Sequence, residues 1–315
     1  MKNTKFIFPL LLLIPSIFTL ASCGGDNATS SEEEIVIYDQ EEFVLSKYDD
    51  GYYIQDYKGS ANAVYLPHTF VEEDGTKVPV VGISDLAFSK RQSLTTIYLS
   101  NTIKSIGKNA FYQSSIKNVY VTTYLEDIDP EAFNSSQIEF YKQDDFSFLP
   151  TRDSRNGYLV GFNTDNRITD NIYDLTIPNG TKAIYKGLFN GFLGRIYFPD
   201  SIEAVFDGAF ENANIAYSGS FLKLRHIGKR AFYNAQILHF TKEGSAKYTG
   251  YGYEFRFSEA LETVKENAFF AARNYRTFLG YDPVSQFQIY LPHESAPSGF
   301  EKGWEGNSVV HYGSK

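Results

Sequence analysis

The chain has 315 residues, a formal net charge of −9 and 17% aromatic residues, with 24 Tyr and 27 Phe but only one Cys, one Met and one Trp. A single cysteine excludes a disulfide framework, an iron–sulfur cluster and a cysteine-rich zinc site. The acidic balance argues against nucleic acid as a partner, because phosphate binding needs clustered Lys and Arg to displace counterions.

Residues 1–22 read as a secretory signal peptide. Lys2 and Lys5 precede an apolar stretch over residues 6–20 that is interrupted by Pro9 and Pro15, short for a membrane span and suited to a signal core. It runs into Leu20, Ala21, Ser22, Cys23 and Gly24, which together resemble a bacterial lipobox. That resemblance implies cleavage before Cys23, diacylglycerylation of its sulfur and acylation of the new amino terminus. An ordinary cleavage site with an incidental cysteine is the alternative. Two or three acyl chains, each buried CH₂ contributing about 0.8 kcal/mol, hold a protein to a bilayer where one does not. Residues 23–34 are polar and acidic and read as a flexible tether. The expected location is the outer face of a bacterial envelope, with the lipid in the cell membrane or the outer membrane.

Residues 35–63 are expected to cap the fold, with a hairpin over 43–57 turning at Asp49, Asp50 and Gly51. Beyond it one cycle recurs. Ile or Val, three residues, then Ala (once Leu) and Phe occur at Ile83/Phe88, Ile106/Phe111, Ile128/Phe133, Ile184/Phe189, Val205/Phe210, Ile227/Phe232 and Val264/Phe269. The Phe-to-Phe steps are 23, 22, 56, 21, 22 and 37, so four keep a period near 22 and two carry insertions. Short alternating runs precede most of these cores, among them Val64-Tyr65-Leu66, Ile97-Tyr98-Leu99, Val119-Tyr120-Val121 and Ile196-Tyr197-Phe198, and Phe287 to Leu291 closes the series.

Each alternating run reads as a strand, and the Pro that often ends it keeps it short. The Ile and Ala-Phe pieces suit a turn of helix or an irregular arc. One cycle cannot bury its own apolar face, so successive cycles must stack. The predicted product is a solenoid with a Phe/Ile core and one ladder of short strands.

These residues resemble the BspA-like leucine-rich repeat of bacterial surface proteins. Residues 94–111, LTTIYLSNTIKSIGKNAF, follow that repeat almost position by position. Asp50 to Ile54 resembles the opening coil of the family, and Gly157 to Val160 repeats it. The resemblance implies a mostly β, α+β right-handed leucine-rich-repeat solenoid of short parallel strands with irregular or short helical arcs and end caps. It divides the chain into a first sub-array at 64–150, a second at 151–286 and a C-terminal cap at 287–315. It also implies adhesion to other proteins. Gly follows the Ile or Val in only two of seven cycles, at Gly107 and Gly228, a departure from the family pattern.

The middle residue of each run points away from the core. At Tyr65, Tyr98, Tyr120, Tyr197 and Tyr290 it is tyrosine, with Thr176 interrupting the series. Such a ribbon offers rigid, amphipathic contact area to a protein or glycan, although Tyr also simply favours strands. Two insertions stand apart. Residues 139–156 are polar with scattered aromatics and are expected to loop out. Residues 243–257 place Tyr251, Tyr253, Phe255 and Phe257 at period two, either a second aromatic ridge or rings folded on the flank. Trp304 is expected to pack in the C-terminal cap. The five histidines show no metal-binding spacing, and no nucleophile elbow, phosphate loop or catalytic carboxylate pair is evident. The expectation is therefore a non-enzymatic binder without cofactor or metal. Its partner would be an extracellular protein or a glycan, with the membrane engaged through the lipid; oligomeric state is left open.

Overall fold

The computed structural model describes residues 40–163, 168–169, 172–243, 247–252, 254–274 and 287–314. Cys23, the signal peptide, the tether and Tyr253 lie outside the described residues. The alternating runs form parallel strands as expected. Ala63–Tyr65, Thr96–Tyr98 and Asn118–Tyr120 pair in register, as do Ile172–Thr176, Leu193–Tyr197, Asn214–Ser218 and Gln236–Glu243 further on. A final set joins Glu254–Arg256, Gln288–Tyr290 and Val309–His311.

The expected single ladder is corrected to two. The Ile or Val before each Ala-Phe lies in a strand of its own: Lys77–Ile83, Ser105–Ile106 and Asp127–Ile128 form one second ladder. Ser154–Phe162, Ala183–Ile184, Ala204–Val205, His226–Ile227 and Thr263–Val264 form the other. Two parallel ladders thus wall each coil, and the apolar member of every short strand points between them: Ile106, Ile184, Val205 and Val264 are all at most 2% exposed.

The arcs are turns, and the alternative of short helices fails. Among the described residues the only helical segment is a 3₁₀ turn at Gln40–Glu42. Six of the seven arcs instead pass through left-handed backbone just before Ala (Leu188 in one) and again two residues after Phe, and the arc of Phe133 does so at Ser135 alone. Leu86 and Lys90, Asn109 and Gln113, Gly187 and Gly191, Gly208 and Asn212, Arg230 and Asn234, and Asn267 and Ala271 all have positive φ. A right-handed helix cannot hold such residues. The backbone groups are satisfied from coil to coil instead: the N–H of Phe88, Phe111, Phe189, Phe210 and Phe232 donates to the Ala carbonyl one coil on, at 2.8–3.0 Å.

That bonding stacks the phenylalanines in two columns. Phe88, Phe111 and Phe133 lie 5.7 and 5.4 Å apart. Phe189, Phe210, Phe232 and Phe269 lie 5.2, 5.3 and 5.2 Å apart with rings within 8° of parallel. Small Ala beside each Phe lets the coils approach this closely. In the last coil Trp304 occupies the Ala position, its carbonyl accepting from Phe269 N–H, and it is 4% exposed. The indole meets Phe269 edge-on at 6.0 Å and covers that end of the column.

The N-terminal hairpin forms from Phe43–Tyr48 and Gly51–Tyr57. The two insertions differ from expectation. Residues 139–156 do not loop out: Tyr141–Gln143 and Phe146–Thr151 join Ser154–Phe162 in an antiparallel meander, with Phe146, Phe148 and Leu149 at 0–1% exposure. The apolar residues scattered there are the opening wall of the second stack of coils. In the other, Gln236–Glu243 and Lys247–Gly252, which contains Tyr251, form a hairpin, after which the chain returns to the wall. Phe255 and Phe257 are 1% and 6% exposed, so they belong to the core and form no outward ridge; only Arg256 between them is exposed.

The two stacks meet side to face. The segment 122–129, a turn that runs into the strand Asp127–Ile128 at the end of the N-terminal stack, lies on the outer face of the second ladder of the C-terminal stack. Tyr158 and Tyr185 donate hydroxyl bonds to the carbonyls of Leu125 and Ile128 at 2.7 and 2.6 Å. Arg225 bonds the Tyr124 hydroxyl, and Lys186 pairs with Asp127.

Candidate functional site

Period-two alternation turns Val64, Ile97 and Val119 inward, each at most 1% exposed, and leaves Tyr65, Tyr98 and Tyr120 half-buried on the outside of one three-stranded sheet. Strands about 4.8 Å apart hold neighbouring rings at stacking distance. The Tyr65 and Tyr98 centroids are 4.3 Å apart at 12°, and those of Tyr98 and Tyr120 are 4.6 Å apart at 9°. The Arg152 guanidinium lies 4.4 Å from the Tyr65 centroid and 5.7 Å from that of Tyr98. Face-to-face stacking covers the inner ring faces, so this surface presents ring edges.

Tyr197 and Tyr290 do not continue the stack. Tyr197 lies in another sheet, flanked in register by Thr176 and Ser218 and packed against Ala216 and Leu238. Tyr290 lies in the terminal sheet, between the Arg256 guanidinium at 4.3 Å and the His311 ring at 4.4 Å. The ribbon, interrupted in sequence at Thr176, is thus one stack of three with two rings apart from it. The cause is the meander over 141–162, which ends the first sheet and starts the next stack.

The joint between the stacks holds a partly open cavity of about 30 Å³, lined by Thr123, Tyr124, Phe206, Asp207 and His226 among others. The His226 ring meets Tyr124 edge-on at 5.0 Å. Its Nδ1 is 2.6 Å from Thr263 Oγ1, and its Nε2 is buried without a hydrogen-bond partner. Burial holds the His226 pKa below its ordinary 6.5. Burial likewise raises the Asp207 carboxyl above its ordinary 3.8, against the opposing bond that it accepts from Lys229 N–H. Among the described residues no three His, Cys, Asp or Glu side chains converge as metal ligands.

Asp85 and Asp207 explain the two glycines that follow Ile in the repeat. Asp85 and Asp207 each accept a backbone N–H one coil on, from Lys108 and Lys229. A Cβ at Gly107 or Gly228 would collide with those aspartates. An Asp followed by Gly one period later is a signal for this contact that the repeat pattern alone does not expose.

Solved structures of leucine-rich repeat proteins resemble the chain at low identity. A leucine rich cell surface protein from Faecalibacterium prausnitzii A2-165 is 16% identical, over 83% of this chain and 72% of that one, with a TM-score of 0.26. The T. pallidum leucine rich repeat protein is 20% identical over 61% and 81%, with a TM-score of 0.28. The pneumococcal vaccine antigen PcpA is 12% identical over 85% and 96%, with a TM-score of 0.24. No curated protein matches the chain. The sequence pattern described as the BspA type leucine rich repeat region matches in six copies, over residues 76–144 and 167–274. Those matches span more than half the sequence, carry the Ile and Phe residues seen lining the coils, and make this chain a member of the BspA-type leucine-rich repeat family.

Proposed function

We propose that the chain is a lipid-anchored protein of the outer face of a bacterial envelope that binds another protein without catalysis, in adhesion or surface assembly. The supporting observation is the stack of Tyr65, Tyr98 and Tyr120, three rigid rings side by side on an outward sheet face. Their positively polarised edges suit carbonyl and carboxylate groups of a protein surface. A sugar would need an open ring face, and the stack covers the faces of Tyr98 on both sides. The anchor is supported by the sequence around Cys23.

A glycan-capture or envelope-scaffold role is the second reading. It is favoured by Tyr197, whose register neighbours Thr176 and Ser218 are small rather than aromatic.

A pull-down of surface proteins and a glycan array, each run with the chain and with the Tyr65→Ala/Tyr98→Ala/Tyr120→Ala variant, test both. Protein capture lost in the triple variant is the expected result. A glycan signal that survives it and disappears in Tyr197→Ala would favour the second reading, and turnover of any polymer would defeat both.

A further inference from the structure

The outer face of the second ladder has two different surroundings within this one chain. In the C-terminal stack its outward residues, among them Tyr158, Tyr185, Phe206 and His226, are covered by the segment 122–129. In the N-terminal stack the matching positions by register are Gly82, Ser105 and Asp127, followed one coil position on by Ser84, Gly107 and Asp129. There the face lies at the bottom of an open groove of about 560 Å³. The cap hairpin forms one end of it, where Tyr53 lies over Gly82 so closely that a Cβ would collide with its ring. Tyr48, 55% exposed, stands 5.0 Å from Tyr53.

The charge of the groove is one-sided. Asp50, Asp85, Asp127 and Asp129 line it with one lysine, Lys108. Lys108 is held 3.0 Å from Glu131, and Asp127 is paired with Lys186. Asp50, Asp85 and Asp129 each spend an oxygen on a neutral donor: the Tyr53 hydroxyl, Lys108 N–H and Glu131 N–H, at 2.8–3.0 Å. Among the described residues no ion pair neutralises these three. A cation entering here would meet three carboxylates and, at the hairpin end, an exposed ring able to hold it by cation–π attraction.

We propose that this groove is a second docking site, one that receives a turn bearing Lys or Arg from a partner protein. The molecule already shows the shape of the occupant, since the same ladder face one stack later receives a turn and the short strand that follows it. The carboxylates supply the difference in chemistry, because the charge must be complementary across the contact. The site shares no residue with the tyrosine stack and stands whether or not that stack binds.

The test is selection of short constrained loops displayed on phage against the immobilised chain, with Asp85→Asn/Asp129→Asn as the counter-target. Asn retains the oxygen that accepts the Lys108 and Glu131 N–H bonds, so coil geometry is kept while two charges are removed; an unchanged melting temperature verifies this. The selected loops should be enriched in Lys and Arg and bind the variant about tenfold more weakly. Their binding should fall about tenfold between roughly 0.05 and 0.5 M salt, and the triple tyrosine variant should bind them as the parent does. Loops without a basic bias, equal binding to the Asn variant, or no enrichment over it would overturn the proposal.

Discussion

Truncating Phe210 to Ala tests the stacking of the coils most directly. Phe210 is fully buried, stacks on Phe189 and Phe232 at 5.2 and 5.3 Å, and meets Phe198 edge-on at 5.8 Å. Removing a buried Phe costs about 3–5 kcal/mol where the site cannot collapse. Here the backbone bonds from Phe189 N–H to Ala209 and from Phe210 N–H to Ala231 hold the coils apart, so the upper end applies. Two stacked neighbours also lose about 0.5–1.5 kcal/mol each of ring–ring attraction within that total. Phe133, half-buried at the end of the other column, stacked on Phe111 and met edge-on by the exposed Phe140, should lose only about 2 kcal/mol on the same change. Urea unfolding followed by far-UV circular dichroism and by Trp304 fluorescence gives both values, and the single buried Trp at the C-terminal end reports whether that end melts with the rest. Hydrogen exchange should show the largest loss of protection at the amides of Phe189 and Phe232. Equal costs at positions 210 and 133, or a Phe210→Ala cost below about 2 kcal/mol, would refute the reasoning.

Ala271 has φ +56 at a position where the equivalent residue of another coil is Gly191; Ala271→Gly should gain about 0.5–1 kcal/mol, seen as a raised melting temperature, because relief of left-handed strain exceeds the entropy cost of glycine. His226 has a pKa lowered by burial, so the unfolded chain binds the extra proton first, and the stability contributed by the neutral ring is complete above pH 6.5 and lost as pH falls below it. The unfolding midpoint should therefore drop between pH 7 and 5, and His226→Gln should flatten that slope; a slope unchanged in the variant would show another origin. The raised Asp207 carboxyl acts with the opposite sign, its contribution being complete below its ordinary 3.8 and lost as pH rises through the raised value. Cys23→Ser should abolish incorporation of labelled fatty acid and release the chain from the membrane fraction; retention of label would exclude Cys23 as the lipid site.

The rhythm of the coils was legible because it rests on side chains that the core requires in every cycle. Ile106, Ala110 and Phe111 appear in sequence at the spacing they keep in the structure, and all three are at most 2% exposed. The second ladder was not legible. A strand of two residues such as Ser105–Ile106 leaves no alternation to detect, and it is fixed by bonds to neighbouring coils rather than by local preference. The choice between an irregular arc and a short helix was not legible for a similar reason: Leu86 and Arg230 take left-handed backbone that neither residue type announces. The outward direction of the tyrosines followed from strand alternation, and Thr176 marked an interruption in their series, whereas the place where the stack ends did not. It depends on the meander over 141–162 and on the meeting of Tyr124 with Arg225, 101 positions apart in sequence. Phe255 and Phe257 show the limit of periodicity itself, since a period of two marks one face of a strand and is silent on whether that face is covered.

Trp304 in the place of Ala makes the array directional in its growth. A coil added by duplication between Phe189 and Phe232 would find an Ala and a Phe waiting above and below, and the rod would lengthen by one step. A coil added after Trp304 would meet an indole where it needs a methyl group, and could not seat. Gain and loss of repeats in this lineage should accordingly be confined to the interior, with the tryptophan carried along as a fixed terminus.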